Sequence, residues 1–339
     1  MRLKTNGPVT LSDVAARAGV SIKTVSRVVN REANVSSATR ERVEAVLSDL
    51  DYRPNIFARS LAGSRSYLLS LLFDNPNASY VHDLQLGALR QCRAVGYHLI
   101  VEEMDSGAAD FEQQVARLLQ GSLTDGLILT PPLSDNALLL AALAARGLPC
   151  VRIAPYTAGE VGTAILIDDA AAAAELTTHL LDLGHRRIGF IEGPSGHGAT
   201  RLRYDGFASA LRARGLAPEP DLVVTGDFTS RSGMEAGERL LARADRPTAI
   251  FASNDDMALG AMLTASRLGL HIPEDLSVAG FDDSRTALLT WPQLTTVRQP
   301  VTDMSAAAAR VLISREPMPR RIMFDLEVVV RGSTGVARG

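Results

Sequence analysis

The segment SIKTVSRVVN, residues 21–30, sets Lys23, Thr24, Ser26 and Arg27 among the apolar residues Ile22, Val25, Val28 and Val29. On a helix these types separate by face. Val25, Val28 and Val29 form an inward stripe, whereas Ile22, Lys23, Ser26 and Arg27 project outward around the amino-terminal half. Arg and Lys can pair with guanine, Ser and Thr with several bases or phosphates, and Ile22 can touch a thymine methyl. The chemistry that this spacing suggests is base reading in the major groove, with an ordinary amphipathic surface helix as the plainer alternative.

Catalytic chemistry finds less support. GPSGHG at 193–198 is not a G-x-G-x-x-G turn, no G-x-x-x-x-G-K-[ST] occurs, and the two lysines, Lys4 and Lys23, both precede residue 66. Cys92 and Cys150 stand apart and read as buried small apolar residues. His82, His98, His179, His185, His197 and His271 lack ligand spacing, so no metal and no cofactor is expected. His185, in the turn LGH, reads as a partner of backbone groups. Asp255 beside Asp256 and Asp282 beside Asp283 could suggest paired carboxylates, but neighbours on a strand or helix diverge. No catalytic residue is assigned, and the chain is not expected to be an enzyme.

The elements that must position the polar helix follow from caps and periodicity. Thr10 or Ser12 can cap a helix carrying Val14, Ala15 and Ala18, Gly19 breaks it, and Ser21 can cap the next. A third helix starts near Ser36 or Ser37, with Val43, Val46, Leu47 and Leu50 on one face. Through Arg65, eleven basic and six acidic residues give +5, against −8 for the remainder of a chain of net charge −3. That asymmetry suggests a polyanion-binding module on an acidic body. Pro54 interrupts the helical pattern, and residues 63–66 look like a linker.

From Tyr67 onward, short apolar runs alternate with Ala-rich amphipathic stretches. Strands are predicted at 67–73, 97–103, 126–130, 150–154, 164–167, 187–192, 222–226, 249–253, 276–281 and 327–331. The alternation predicts parallel sheets covered by helices, and about ten strands divide better into two α/β lobes than one sheet. A ligand cleft at the carboxyl ends of the strands is the default expectation. No run of about 18 apolar residues occurs and MRLKTNGPVT lacks an apolar core, so a cytoplasmic location without membrane contact is expected.

VTLSDVAARAGVSIKTVSRVVN, with VSSATRERVEAVLSDLDYRPNIFARSLAG after it, resembles the headpiece and hinge of the LacI/GalR family of bacterial transcription regulators. GHRRIGFIEGP, RLRYDGF, AIFASNDDMALGAM, PEDLSVAGFDD, LTTVRQP and VVVRGST resemble that family's regulatory body. The resemblance implies an α/β chain with a three-helix helix-turn-helix headpiece (1–52), a hinge helix and linker (53–65), and a two-lobe periplasmic-binding-protein-like body with two parallel sheets (66–339). The lobes are expected at about 66–165 plus 299–325, and 166–298 plus 326–335. It implies DNA contacts at Ser21, Ile22, Lys23, Thr24, Ser26, Arg27, Asn30, Asn34, Tyr52, Asn55, Ala58, Arg59 and Leu61. Leu61 would wedge into the minor groove when two hinges meet on an operator, a contact that an effector could switch by separating the hinges.

For the cleft, the resemblance implies effector contacts at Arg203, Asn254 and Asp282, an aromatic stack at Phe228, and further lining at Asp74, Tyr80, Thr130 and Gln299. Ala154 stands where several sugar-responsive members carry Asp, a contact that Arg152 or Tyr156 would have to replace. The terminal GVARG has no leucine heptads, so a homodimer on a pseudo-palindromic double-stranded operator is expected. The implied function is a repressor of carbohydrate-utilisation genes controlled by a sugar or sugar derivative. A purine-type corepressor response, an exported solute-binding protein and an α/β enzyme on sugars are the alternatives.

Overall fold

The computed structural model describes residues 9–29, 34–52, 65–121, 123–157, 159–314 and 316–338. Asn30, Asn55, Ala58, Arg59 and Leu61, and with them the expected hinge, lie outside the described residues. Contacts divide the chain into two units, Met1–Tyr67 and Leu68–Gly339.

In the first unit, α1 (Leu11–Ala18) opens with a reciprocal cap: the Asp13 N–H donates to Thr10 Oγ1, and the Asp13 carboxylate accepts from the Thr10 N–H at 2.9 Å. Gly19, at φ +64°, closes it in a left-handed conformation that a side chain would strain. Ser21 Oγ accepts from Thr24 N at 3.1 Å ahead of α2 (Ile22–Val29), and Ser36 caps α3 (Ser37–Asp49). Val14, Ala15, Ala18, Val25, Val28 and Val43 are buried together, with Val46, Leu47, Leu50 and Tyr52 packed against them.

Among its described residues the second unit holds three sheets. Strands β1 (Leu68–Phe73), β2 (His98–Glu103), β3 (Leu127–Leu129), β4 (Cys150–Ile153), β5 (Thr163–Leu166) and β11 (Arg321–Met323) form a parallel sheet in the order β11-β5-β4-β3-β1-β2. Strands β6 (Ile188–Glu192), β7 (Val223–Thr225), β8 (Ala249–Ala252) and β9 (Ser277–Ala279) form a second, in the order β7-β6-β8-β9. The chain therefore has the expected α/β architecture with two parallel sheets.

One strand runs against expectation. Residues 327–331 were expected to join a parallel sheet, yet β12 (Glu327–Val329) pairs antiparallel with β10 (Thr296–Arg298) in a two-stranded ribbon. Neither β10 nor β11 stands out in the sequence, because each has three residues and Arg321 and Met323 are exposed. The chain passes to or from the six-stranded sheet three times, after β5, β10 and β11.

Helices then fix the site's geometry. α4 (Ala78–Ala94) packs on α12 (Val301–Ile313), and α7 (Asp169–Asp182) packs on α8 (Gly198–Ala213). At the second crossing Gly206 is essential: a Cβ there would lie 2.1 Å from the Ala170 carbonyl oxygen. Phe207, on the same helix, stacks on Phe190 at 4.8 Å, and Phe251 meets Phe190 edge-on at 5.2 Å. Each such buried ring contributes about 2–3 kcal/mol, enough to hold α8 in register against its sheet.

Candidate ligand cleft and nucleic-acid interface

The cleft collects residues that follow the carboxyl ends of the parallel strands. Asn75, Asn77 and Tyr80 follow β1, Pro131 follows β3, and Ala154 follows β4. From the other sheet, Arg203 comes after β6, Phe228 after β7, Asn254 after β8 and Asp282 after β9. Ile167 and Gln299 line it from two of the chain's passages to or from the six-stranded sheet. The empty space between these residues, its mouth to open solvent included, is about 430 Å³.

Arg203 is the charged centre. Its Nε donates to Asp169 Oδ1 at 2.8 Å and its Nη1 to the Ser253 carbonyl at 2.5 Å. Nη1 also lies 3.7 Å from Asp282 Oδ1, and the guanidinium stacks 3.7 Å over the Phe281 ring. The tight α7–α8 crossing produces this pair, since Asp169 is the first residue of α7 and Arg203 is on α8. Buried pairs of this kind set geometry more than they stabilise, because both charges lose water.

Asp282 faces the opposite side of the cleft. Gln299 Nε2 donates to its Oδ1 at 2.6 Å, and Asn77 Nδ2 reaches its Oδ2 at 3.5 Å. Burial pushes its carboxyl up to about 7, although Arg203 and the Gln299 hydrogen bond pull it down. Behind it, Asp255 takes Thr296 Oγ1 at 2.6 Å and the Ser284 N–H at 2.7 Å. Burial, and then the Asp282 charge, hold Asp255 well above the carboxylate range. The neighbours do diverge: Asp256 accepts from Thr286, and Asp283 pairs with Arg298 and Arg331.

Asn254 uses both ends of its amide within the protein. Its Oδ1 accepts from Met257 N at 2.9 Å, capping α10 (Asp255–Arg267), and its Nδ2 donates to the Phe228 carbonyl at 3.0 Å. The second bond pins Phe228, whose φ of +66° is left-handed. Tyr80 also faces the cleft, its phenol held above the usual range by burial and then by the Asp282 charge.

Six of the eight expected effector residues thus converge: Tyr80, Arg203, Phe228, Asn254, Asp282 and Gln299. Thr130 is buried with its hydroxyl donating to the Leu72 carbonyl at 3.1 Å, and Asp74 accepts from the Ser106 N–H and hydroxyl; neither is among the lining residues. Arg152 does not replace the missing contact at Ala154. Its Nε donates to the Ser134 carbonyl at 2.6 Å and its Nη2 to the Thr157 carbonyl at 2.9 Å, which turns it away from the cleft. Tyr156 is exposed and outside the lining. Sequence reasoning missed Asn77, Asp169 and His197; the N-cap positions before α4 and α8 were the available signal for Asn77 and His197.

Among the described residues no group of three or more His, Cys, Asp or Glu could hold a metal ion. His185 is structural: its Nδ1 lies 2.8 Å from Thr248 Oγ1, and its Nε2 lies 3.0 Å from Ser277 Oγ and the Gly335 carbonyl. No helix among the described residues is long and apolar enough to cross a membrane.

In the first unit, Ser21, Ile22, Lys23 and Asn34 are exposed, and Thr24, Ser26, Arg27 and Tyr52 are half-buried. Ile22, an apolar side chain 52% exposed at the first turn of a helix otherwise buried along Val25 and Val28, has no partner in the core cluster. An exposed Ile beside Lys23 is the surface that groove binding would cover.

Residues 10–55 match the family model for bacterial regulatory proteins of the lacI family, and residues 177–334 match the periplasmic binding protein-like domain. Catabolite control protein A of Priestia megaterium is 35% identical over 310 residues, covering 90% of this chain and 91% of that protein. The chain belongs to the lacI family. Two solved lacI-family-like structures extend the likeness to three dimensions. The lac repressor dimer bound to operator and the anti-inducer ONPF is 30% identical, with a TM-score of 0.81 over 97% of this chain and 100% of that one. The complex of the transcriptional regulator CelR with cellobiose is 33% identical, with a TM-score of 0.72 over 96% and 99%. A lacI-family chain is a DNA-binding transcriptional regulator, and its relatives here are regulators too.

Proposed function

We propose that this lacI-family regulator represses carbohydrate-utilisation genes in the cytoplasm, binding a pseudo-palindromic operator as a homodimer and releasing it when a small sugar fills the cleft. The observation that carries this reading is the lining itself. Arg203, Asp169, Asp282 and Gln299 supply donors and acceptors, while Phe228 supplies an aromatic surface. Neighbouring hydroxyls on a sugar ring match planar donors and carboxylates, and its C–H face matches an aromatic ring. The cellobiose bound by the CelR structure supports the same ligand class.

Division of labour follows the chain: residues 1–52 read DNA, 53–65 form the hinge, and 66–339 bind the effector and dimerise. Lys23, Ser26 and Arg27 face the major groove, with Ser21, Ile22, Thr24, Asn30, Asn34, Tyr52, Asn55, Ala58 and Arg59 contacting backbone or bases, and Leu61 enters the minor groove. No turnover is assigned, because the carboxylates of the cleft are engaged by Arg203, Gln299 and Thr296 and no activated nucleophile adjoins them. The test is an operator selected from random DNA, titrated with the protein in the presence of D-ribose, D-glucose and cellobiose. A fall in operator affinity with one of them is expected; product formation from any would refute the regulator-only reading.

A further inference from the structure

Resting on the sugar reading, the charge pattern of the cleft narrows the ligand further. Among the described residues Arg203 is the one lysine or arginine that lines the cavity, and it is already engaged by Asp169 at 2.8 Å and approached by Asp282 at 3.7 Å. A phosphate or carboxylate entering here would meet more negative charge than positive, in a setting with little water to screen it. The Arg203 guanidinium would have to be won from two carboxylates.

Among the described residues His197 is one of the polar lining groups left over. Its side chain is buried, at 8% exposure, at the position preceding α8, and its ring meets Phe228 edge-on at 5.2 Å. Among the described residues neither ring nitrogen has a hydrogen-bond partner, although the ring lines the cavity. Burial holds the imidazole below its usual range, with Asp74 pulling it up and Arg203 pushing it further down. A neutral imidazole offers one donor and one acceptor and carries no charge for an anion. By contrast, the amide of Asn254, the other neutral polar group beside Phe228, is consumed by Met257 and Phe228 itself.

We propose that the cleft selects an uncharged ligand and that His197 is the specificity-determining residue, one ring nitrogen donating to a ligand oxygen and the other accepting from a ligand hydroxyl. Buried hydrogen-bonding groups discriminate strongly, since a ligand that leaves them unpaired loses their desolvation cost as well as the bond. A sugar phosphate or sugar acid is excluded by the carboxylates, and a purely apolar ligand by His197.

The test uses the full-length protein at pH 7 and follows thermal unfolding with matched probes at equal ionic strength. D-ribose is paired with ribose 5-phosphate, D-glucose with glucose 6-phosphate and gluconate, and inorganic phosphate is added alone. The wild-type melting temperature is expected to be unmoved by inorganic phosphate and by every charged sugar. A charged probe that stabilises it more than its neutral partner would overturn the proposal. His197→Arg should gain stabilisation by inorganic phosphate, and a variant as indifferent as the wild type would remove His197 from the role. For any neutral sugar that binds, His197→Gln, which keeps a donor and an acceptor, should retain more affinity than His197→Leu by tenfold or more; equal losses would mean that the ring only packs. If no sugar, neutral or charged, alters operator binding, the sugar reading fails, whereas the charge selectivity is still decided by the two phosphate measurements.

Discussion

Replacing Asp282 with Asn should make the protein more stable while removing its response to ligand. Folding raises the Asp282 carboxyl from 3.8 to about 7, chiefly through burial. A carboxyl raised on folding holds its proton more tightly in the folded state, so folding is favoured as pH falls and penalised as pH rises from 3.8 to about 7, with a constant penalty above. About 3 pH units correspond to a cost on the order of 4 kcal/mol at pH 8. Asn keeps an acceptor for Gln299 but brings an N–H toward Asn77 and removes a carboxylate from Arg203, losses of about 1–2 kcal/mol. The remaining gain of about 2–3 kcal/mol should raise the melting temperature of a body this size by roughly 4–8 °C at pH 8. Calorimetry of wild type and Asp282→Asn from pH 5 to pH 8 measures it, and the difference should shrink steadily as the pH falls below 7. A variant that melts at or below the wild type at pH 8, or a difference that ignores pH, would refute the burial argument.

Other substitutions probe separate parts of the argument. Arg27→Ala should weaken operator binding by about 1–3 kcal/mol in a base-dependent way, as competition assays on operator variants would show; an equal loss on all DNA would contradict base reading. Asn254→Ala removes the cap of α10 and the hook on Phe228 together, so denaturant unfolding should report a loss of about 1–3 kcal/mol. Gly206→Ala places a methyl 2.1 Å from the Ala170 carbonyl, and the α7–α8 pair must part; a cost of about 1–3 kcal/mol in thermal unfolding and weaker ligand binding through Asp169 and Arg203 are expected. Leu61→Ala should reduce operator bending while leaving the headpiece folded, measured by gel mobility of circularly permuted operator fragments.

The parts of this molecule that a sequence displays are those governed by neighbours along the chain. Thr10, Gly19 and Ser36 announce helix ends because a cap acts within three residues, and a run such as 249–253 became a strand because a buried parallel strand must be apolar throughout. Partnerships over long separations are not displayed in this way. Nothing around Arg152 distinguishes an arginine that reaches a ligand from one that ties down the carbonyls of Ser134 and Thr157. The Asp169–Arg203 pair depends on how closely two helices cross, which Gly206 permits but does not advertise. His197 looked like one of six scattered histidines until Phe228, thirty-one residues later, was placed against it.

The three passages to or from the six-stranded sheet also set the order in which the molecule can be made. The hydrophobic cluster of the three-helix unit is drawn from Val9 to Tyr52, so it can form while most of the chain is still being synthesised. The six-stranded sheet cannot close until β11 arrives at Arg321, although its other strands are complete by Leu166. For much of translation, β5 therefore waits with an unpaired edge, and that interval is when a nascent copy is most open to pairing with another chain.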